Sequence, residues 1–125
     1  MDEIKKSPLL LIADDDPELT GILLKRLQDL NCEIITAPNG NKALEIIRDK
    51  HPDVVLLDVM MPRMNGYQVC RLLKNDRRTA AIPIIISTVK SLESEKLYAY
   101  TSGADHYLVK PFDKEELLDR VQVSL

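Results

Sequence analysis

Asp53-Val54-Val55-Leu56-Leu57-Asp58-Val59-Met60-Met61-Pro62 sets an uninterrupted apolar run, Val54 to Leu57, between two carboxylates. A run this short, with β-branched residues in it and a proline close behind, predicts a strand buried on both faces. Asp58 stands where that strand stops. A carboxylate in such a place is a helix cap, a metal ligand or a reacting group, and the rest of the chain has to decide among the three.

Upstream, Leu9-Leu10-Leu11-Ile12-Ala13 is a second short apolar run, ending in Asp14, Asp15 and Asp16. Pro17 and Glu18 follow with helix-start chemistry: an acid at the cap, proline in the first turn and negative charge at the positive end of the helix dipole. Leu19, Ile22, Leu23, Leu27 and Leu30 then recur at helical spacing until Asn31. Glu33 to Ala37 reads as a strand turned by Pro38-Asn39-Gly40. Asn41 to Lys50 reads as a helix with Ala43, Ile46 and Ile47 on one face, broken at His51-Pro52.

Downstream, Tyr67 to Asn75 reads as a third helix that buries Val69, Leu72 and Leu73. Ile82 to Ile86 is a fourth apolar strand ending in Ser87-Thr88. A fourth helix is expected over about Leu92–Thr101, closed by Gly103. His106 to Val109 is a fifth strand ending in Lys110-Pro111. Asp113 then caps a fifth helix with Leu117, Leu118, Val121 and Leu125 on its inner face. Strand and helix alternate throughout, which demands parallel strands joined by right-handed crossovers with helices on both faces. The expectation is one α/β domain, a flavodoxin-like (βα)5 doubly wound parallel sheet of strand order 2-1-3-4-5.

Composition narrows the function classes. With 125 residues, 45% hydrophobic and 30% charged, the chain can bury one core but not two. Its net charge of -3 gives no basic surface, so direct nucleic-acid binding is not expected. One Phe and no Trp leave no stacking platform for single strands. No apolar run approaches the roughly 18 residues that cross a membrane, and the charged start Met1 to Lys6 does not support a signal peptide. Cys32 and Cys70 lack CxxC spacing and read as thiols of a reducing, cytoplasmic protein.

In a doubly wound sheet the ligand site lies beyond the carboxyl ends of the strands, where strand order reverses. Those ends carry Asp14 and Asp15, Asp58, Ser87 and Thr88, and Lys110. Three uncompensated carboxylates on one rim would repel and raise one another's pKa, so a divalent cation and Lys110 are the expected compensation. An all-oxygen donor set favours Mg²⁺ or Mn²⁺ over zinc. A hard cation, an ammonium and a hydroxyl together suit the three equatorial oxygens of a phosphoryl group. No Gly-rich phosphate loop is present to hold a nucleotide, so the acceptor is expected to be a carboxylate of the protein, and Asp58 is the best placed.

The set Asp14-Asp15, Asp58 followed by Met61-Pro62 and Asn65-Gly66, Thr88, and Gly103-Ala104, Tyr107 and Lys110-Pro111-Phe112 resembles the receiver domain of two-component response regulators, from Leu9 to about Val123. The resemblance implies a single receiver domain over residues 1–125 with its core at about 8–124, any output domain lying outside this chain. It implies Asp58 as the phospho-acceptor, served by a sensor histidine kinase or a histidine phosphotransfer protein. Mg²⁺ would be held by Asp15, Asp58 and the backbone carbonyl of Met60, with Asp14 acting through water. Lys110 would pair with the phosphoryl oxygens. Thr88 and Tyr107 would form the switch, altering the face made by the fourth helix, fifth strand and fifth helix. That face would meet an output domain, an effector or a second copy in a phosphorylation-dependent homodimer. Such a protein is not an enzyme beyond its own phosphoryl transfer and slow autodephosphorylation.

Two positions depart from common usage. Val89 is bulkier than the small residue that usually follows the Thr, and is expected to narrow access to Asp58. Met60 has no group to orient an attacking water, so slow hydrolysis is expected. The competing reading is a haloacid-dehalogenase-like Mg²⁺ phosphatase, with Asp14 as nucleophile and Asp16 as acid. It lacks the further acidic pair that fold needs after Asp76. A pseudo-receiver acting only as a binding module would ordinarily have lost the acceptor or an acid of the pair, and neither is lost.

Overall fold

A computed structural model of the chain describes residues 8–28, 30–89, 101–110 and 112–124. The order is β1 (Leu9–Ala13), α1 (Pro17–Leu27), β2 (Glu33–Ala37), α2 (Gly40–Lys50), β3 (Val54–Asp58), α3 (Gly66–Lys74), β4 (Ile84–Thr88), β5 (His106–Val109) and a C-terminal helix (Lys114–Ser124). All strands are parallel in the order β2-β1-β3-β4-β5, as expected from the sequence. Of the fourth expected helix, only Thr101 is described, and it is helical. Leu125 and Pro111 also lie outside the described residues.

Side chains alternate across a strand, so an all-apolar strand feeds two cores. Leu10, Ile12, Val54, Leu56, Ile85 and Leu108 pack with Leu23 and Leu27 of α1 and Leu117 and Val121 of the C-terminal helix. Leu11, Ala13, Val55, Leu57, Ile84 and Ile86 pack instead with Ala43, Leu44 and Ile47 of α2 and Val69 and Leu73 of α3. β3 sits between β1 and β4 and is buried at every position. A fully buried Leu or Ile contributes about 1.5–3 kcal/mol relative to exposure, so β3 is anchored from both sides.

Helix termini follow local chemistry. The Asp16 carboxylate accepts hydrogen bonds from the backbone N–H groups of Glu18 and Leu19 and caps α1. Asn65 and Gln68 cap each other's backbone N–H groups at 3.0 and 2.9 Å, which starts α3 at Gly66, one residue earlier than the periodicity predicts. His51, in the left-handed region at φ 50°, ends α2 before Pro52. Asp113 accepts the Glu116 N–H at 2.8 Å ahead of the C-terminal helix.

Helical spacing placed some side chains wrongly. Leu72 is 43% exposed and Ile22 is 44% exposed, whereas Cys70 and Leu44 are buried in the core. The apolar stripes of α1 and α3 are therefore narrower, or rotated, relative to the pattern, because each meets the sheet along one line of contact. Leu30 lies beyond the end of α1 and packs against the core only in part.

Burial pushes up both thiols. For Cys70 it outweighs a hydrogen bond with Ser102 and the nearby Lys74. Cys70 is fully buried and Cys32 half-buried. A disulfide reagent at pH 8 is expected to titrate Cys32 slowly and Cys70 only in denaturant, since the thiolate is the reactive form. Equal rates for the two thiols would contradict this packing.

Candidate functional site

The strand register brings the predicted rim together. Asp14, Asp58 and Lys110 continue the alternation of Leu10-Ile12, Val54-Leu56 and Leu108, so all three belong to the side of the sheet that faces α1 and the C-terminal helix. The Lys110 ammonium donates to Asp58 Oδ1 at 3.0 Å and to Asp14 Oδ2 at 3.1 Å. The side chains of Asp14, Asp58 and Lys110 are only 3%, 6% and 14% exposed, so water screens this bridge weakly. Carboxylate oxygens of Asp14, Asp15 and Asp58 all lie within 4.8 Å of one another, with Asp15 the exposed member.

Burial raises the pKa of Asp58. The hydrogen bond and charge of Lys110 oppose that rise, Asp14 adds to it, and the Met60 backbone N–H bonded to the carboxylate opposes it, but burial wins. For Lys110 the balance is reversed: burial alone would lower its pKa, and its bonds to Asp58 and Asp14 overcome this and raise it. The amine is therefore firmly an ammonium, while the Asp58 carboxylate is short of positive charge. One more cation among three crowded oxygens would relieve that shortage. Their all-oxygen character fits a hard divalent ion, with Asp15 offering the open side.

The loops that carry these groups are tied down by backbone bonds. Val59 N–H donates to the Ser87 carbonyl at 3.0 Å, Lys110 N–H to the Thr88 carbonyl at 2.7 Å, and Asp14 N–H to the Ala37 carbonyl at 3.0 Å. Gly66 N–H donates to the Val59 carbonyl at 3.1 Å. A Cβ on Gly66 would meet the Asp58 carbonyl oxygen at 2.5 Å, so glycine is required for α3 to lie against the Asp58 loop. In the sequence Gly66 stands out only as part of the receiver resemblance. Nothing in the pattern signals this close approach.

Thr88 is fully buried and Tyr107 is buried. By strand alternation both belong to the opposite side of the sheet, with Ile84 and Ile86 beside α2 and α3. Asp16 is exposed and spent on capping α1, which leaves the phosphatase alternative without its acid. Met60 and Val89 are exposed, and Val89 lines a groove of about 340 Å³ with Lys110, Phe112, Leu19, Ile22, Leu23 and Arg26. Among the described residues no helix is long and apolar enough to cross a membrane.

The response regulator receiver domain family matches residues 10–122 of the chain. Protein PilH of Pseudomonas aeruginosa is 40% identical over 116 residues, covering 93% of this chain and 96% of PilH. The DNA-binding dual master transcriptional regulator RpaA of Synechocystis is 38% identical over 118 residues, which are 94% of this chain but 49% of RpaA, so the chain spans about half the length of that relative. The crystal structure of the Vibrio cholerae chemotaxis protein CheY4 superposes with a TM-score of 0.88 at 30% identity, over 95% of this chain and 99% of that one.

Proposed function

Because this chain belongs to the response regulator receiver domain family, we propose that it accepts a phosphoryl group on Asp58 and uses the resulting charge to switch a partner. The observation that carries the reading is the Lys110 ammonium bridging two buried carboxylates at the ends of β1 and β3. The donor is a phosphohistidine of a sensor histidine kinase or a histidine phosphotransfer protein. An Asp58 carboxylate oxygen attacks phosphorus, the phosphorus–nitrogen bond breaks, and the leaving imidazole keeps the electron pair and takes up a proton. The product is an acyl phosphate on Asp58.

Asp15, Asp58 and the Met60 carbonyl would hold Mg²⁺ or Mn²⁺, with Asp14 contributing through water. Such an ion, when bound, neutralises charge that develops on the phosphoryl oxygens. Lys110 is already aimed at Asp58 and supplies a second positive group to those oxygens. The phosphoryl group adds about -1.5 to -2 charge and three acceptor oxygens at the carboxyl end of β3. Thr88 supplies a hydroxyl to one of them, and Tyr107 follows into the space Thr88 leaves. The face around β5 and the C-terminal helix then changes for an output domain, an effector or a second copy. The protein acts in the cytoplasm and turns over no external substrate.

Asp58→Asn is the direct test. Labelled phosphate from a phosphohistidine donor or from phosphoramidate with Mg²⁺ is expected to enter the parent protein as an alkali-labile adduct and to be absent from the variant. Label retained in Asp58→Asn overturns the assignment. The same variant, with metal withheld, is expected to be more stable than the parent. Because the folded-state pKa of Asp58 is raised, ionising it costs stability as pH climbs from the unfolded pKa through the folded one. The variant's advantage is therefore present at neutral pH and vanishes at pH below about 3.9, where both states of the parent are protonated.

A further inference from the structure

Lys110 owes its reach to the segment on which it sits, and that segment is held at both described ends. Its own backbone N–H is fixed to the Thr88 carbonyl at 2.7 Å. Two residues on, the Phe112 carbonyl accepts a hydrogen bond at 3.1 Å from Nη1 of Arg26, in the last turn of α1. The Phe112 side chain is buried in the core beside Leu23, Leu27 and Leu117, so the carbonyl cannot drift freely from α1. Arg26 is half-buried and shares the groove wall with Lys110 and Phe112. A charge-assisted bond in that setting is stronger than a neutral one and directional.

Building on the phosphorylation reading, we infer that Arg26 is a positioning residue for the phosphoryl transfer: by holding the Phe112 carbonyl it keeps the Lys110 ammonium on Asp58. Among the described residues Arg26 makes no hydrogen bond or ion pair with Asp14, Asp15 or Asp58, and it acts through Lys110. Loss of the bond removes the polar tie on the downstream end of the Lys110 segment, leaving only the buried Phe112 ring there and the upstream bond to Thr88, so the backbone between them gains play. The ammonium then samples positions off Asp58, and the transfer slows without loss of the acidic site. Methionine keeps most of the apolar stem of arginine against Leu23 and Phe112 while removing every donor, which makes Arg26→Met the informative change.

The test compares parent, Arg26→Met, Arg26→Lys and Asp58→Asn as full chains, with phosphoramidate as donor. Arg26→Met is expected to lower the maximal rate of label uptake about tenfold, with the donor concentration at half-maximal rate unchanged. Its Mg²⁺ affinity by calorimetry is expected within about twofold of the parent, since Arg26 supports the ammonium and not the ligands. Arg26→Lys, which keeps a charged donor, is expected to recover part of the rate. In metal-free protein the Lys110 Nζ resonance, sharp in the parent through its bonds to Asp58 and Asp14, is expected to shift and exchange faster in Arg26→Met. Parent-like uptake and a parent-like Nζ resonance would overturn the inference. So would a parallel loss of rate, Mg²⁺ affinity and melting temperature, which marks a merely structural residue. If the parent itself takes no label, the phosphorylation reading fails on its own, and the Nζ resonance still decides whether Arg26 places Lys110.

Discussion

Lys110→Met is expected to destabilise the metal-free protein by about 3 kcal/mol, the low end of what removing one partner of a buried ion pair costs. The ammonium is shared by two carboxylates that are 3% and 6% exposed, and removing it leaves two buried negative groups facing each other. The cost stops near that low end because Asp58, whose pKa burial already raises, can take up a proton. Urea denaturation in EDTA measures the deficit. Adding Mg²⁺ is expected to recover much of it, since an ion that binds only the folded state stabilises in proportion to its occupancy. Phosphorylation should nonetheless stay about 10²-fold slow, as for loss of one fixed donor to a developing oxyanion. A variant as stable as its parent in EDTA would mean that the bridge carries no energetic weight.

Gly66→Ala is the second substitution with a large expected effect, and it acts on backbone. The new Cβ meets the Asp58 carbonyl oxygen at 2.5 Å, the Asp58 carbonyl carbon at 3.0 Å and Val59 Cα at 3.2 Å. None of these is the end of a flexible side chain, so either α3 or the Asp58 loop must move. Overpacking of this kind costs about 1–3 kcal/mol, against which the better helix propensity of alanine returns less than about 1 kcal/mol. The loop that moves carries Asp58, so label uptake should fall by about tenfold or more. Gly21→Ala is the matched control. It lies within α1 with nothing within 4 Å of its Cβ, and is expected to stabilise by about 0.5–1 kcal/mol with unchanged uptake. Opposite signs for the two glycines in one denaturation series would separate close approach from helix propensity.

What could be read from the chain and what could not divide along physical lines. β1, β3 and β4 were visible because a buried parallel strand is a short apolar run, and the rim was visible because each of those runs breaks off at a polar group. Asp16 was recognisable as a cap since Asp-Pro-Glu is a local signal, satisfied within three residues. The depth of Leu72 and Ile22 was not legible, because periodicity sets spacing and only the packed sheet sets phase. Nor were Arg26 and Lys74 legible as braces. Arg26 binds a carbonyl 86 positions away, and Lys74 gathers the Ala80 and Ile82 carbonyls together with Asp105, 31 positions on. A long cationic side chain looks the same in sequence whether solvated or buried against such partners. The tightness at Gly66 escaped for a related reason, since a missing Cβ leaves no mark of what it makes room for.

The two consecutive carbonyls at the end of β4 hold different loops: Ser87 receives the N–H of Val59, and Thr88 that of Lys110. Successive carbonyls of a strand point in opposite directions, so this single dipeptide is a balance beam with the Asp58 carboxylate on one arm and the Lys110 ammonium on the other. A pull that draws both loops together leaves the beam level. A pull that moves one loop against the other must tilt it, and the fully buried Thr88 side chain is the pointer fixed to the pivot. The sheet therefore couples the Asp58 loop to the Lys110 loop through one rigid dipeptide, which registers the difference between their two positions and not either alone.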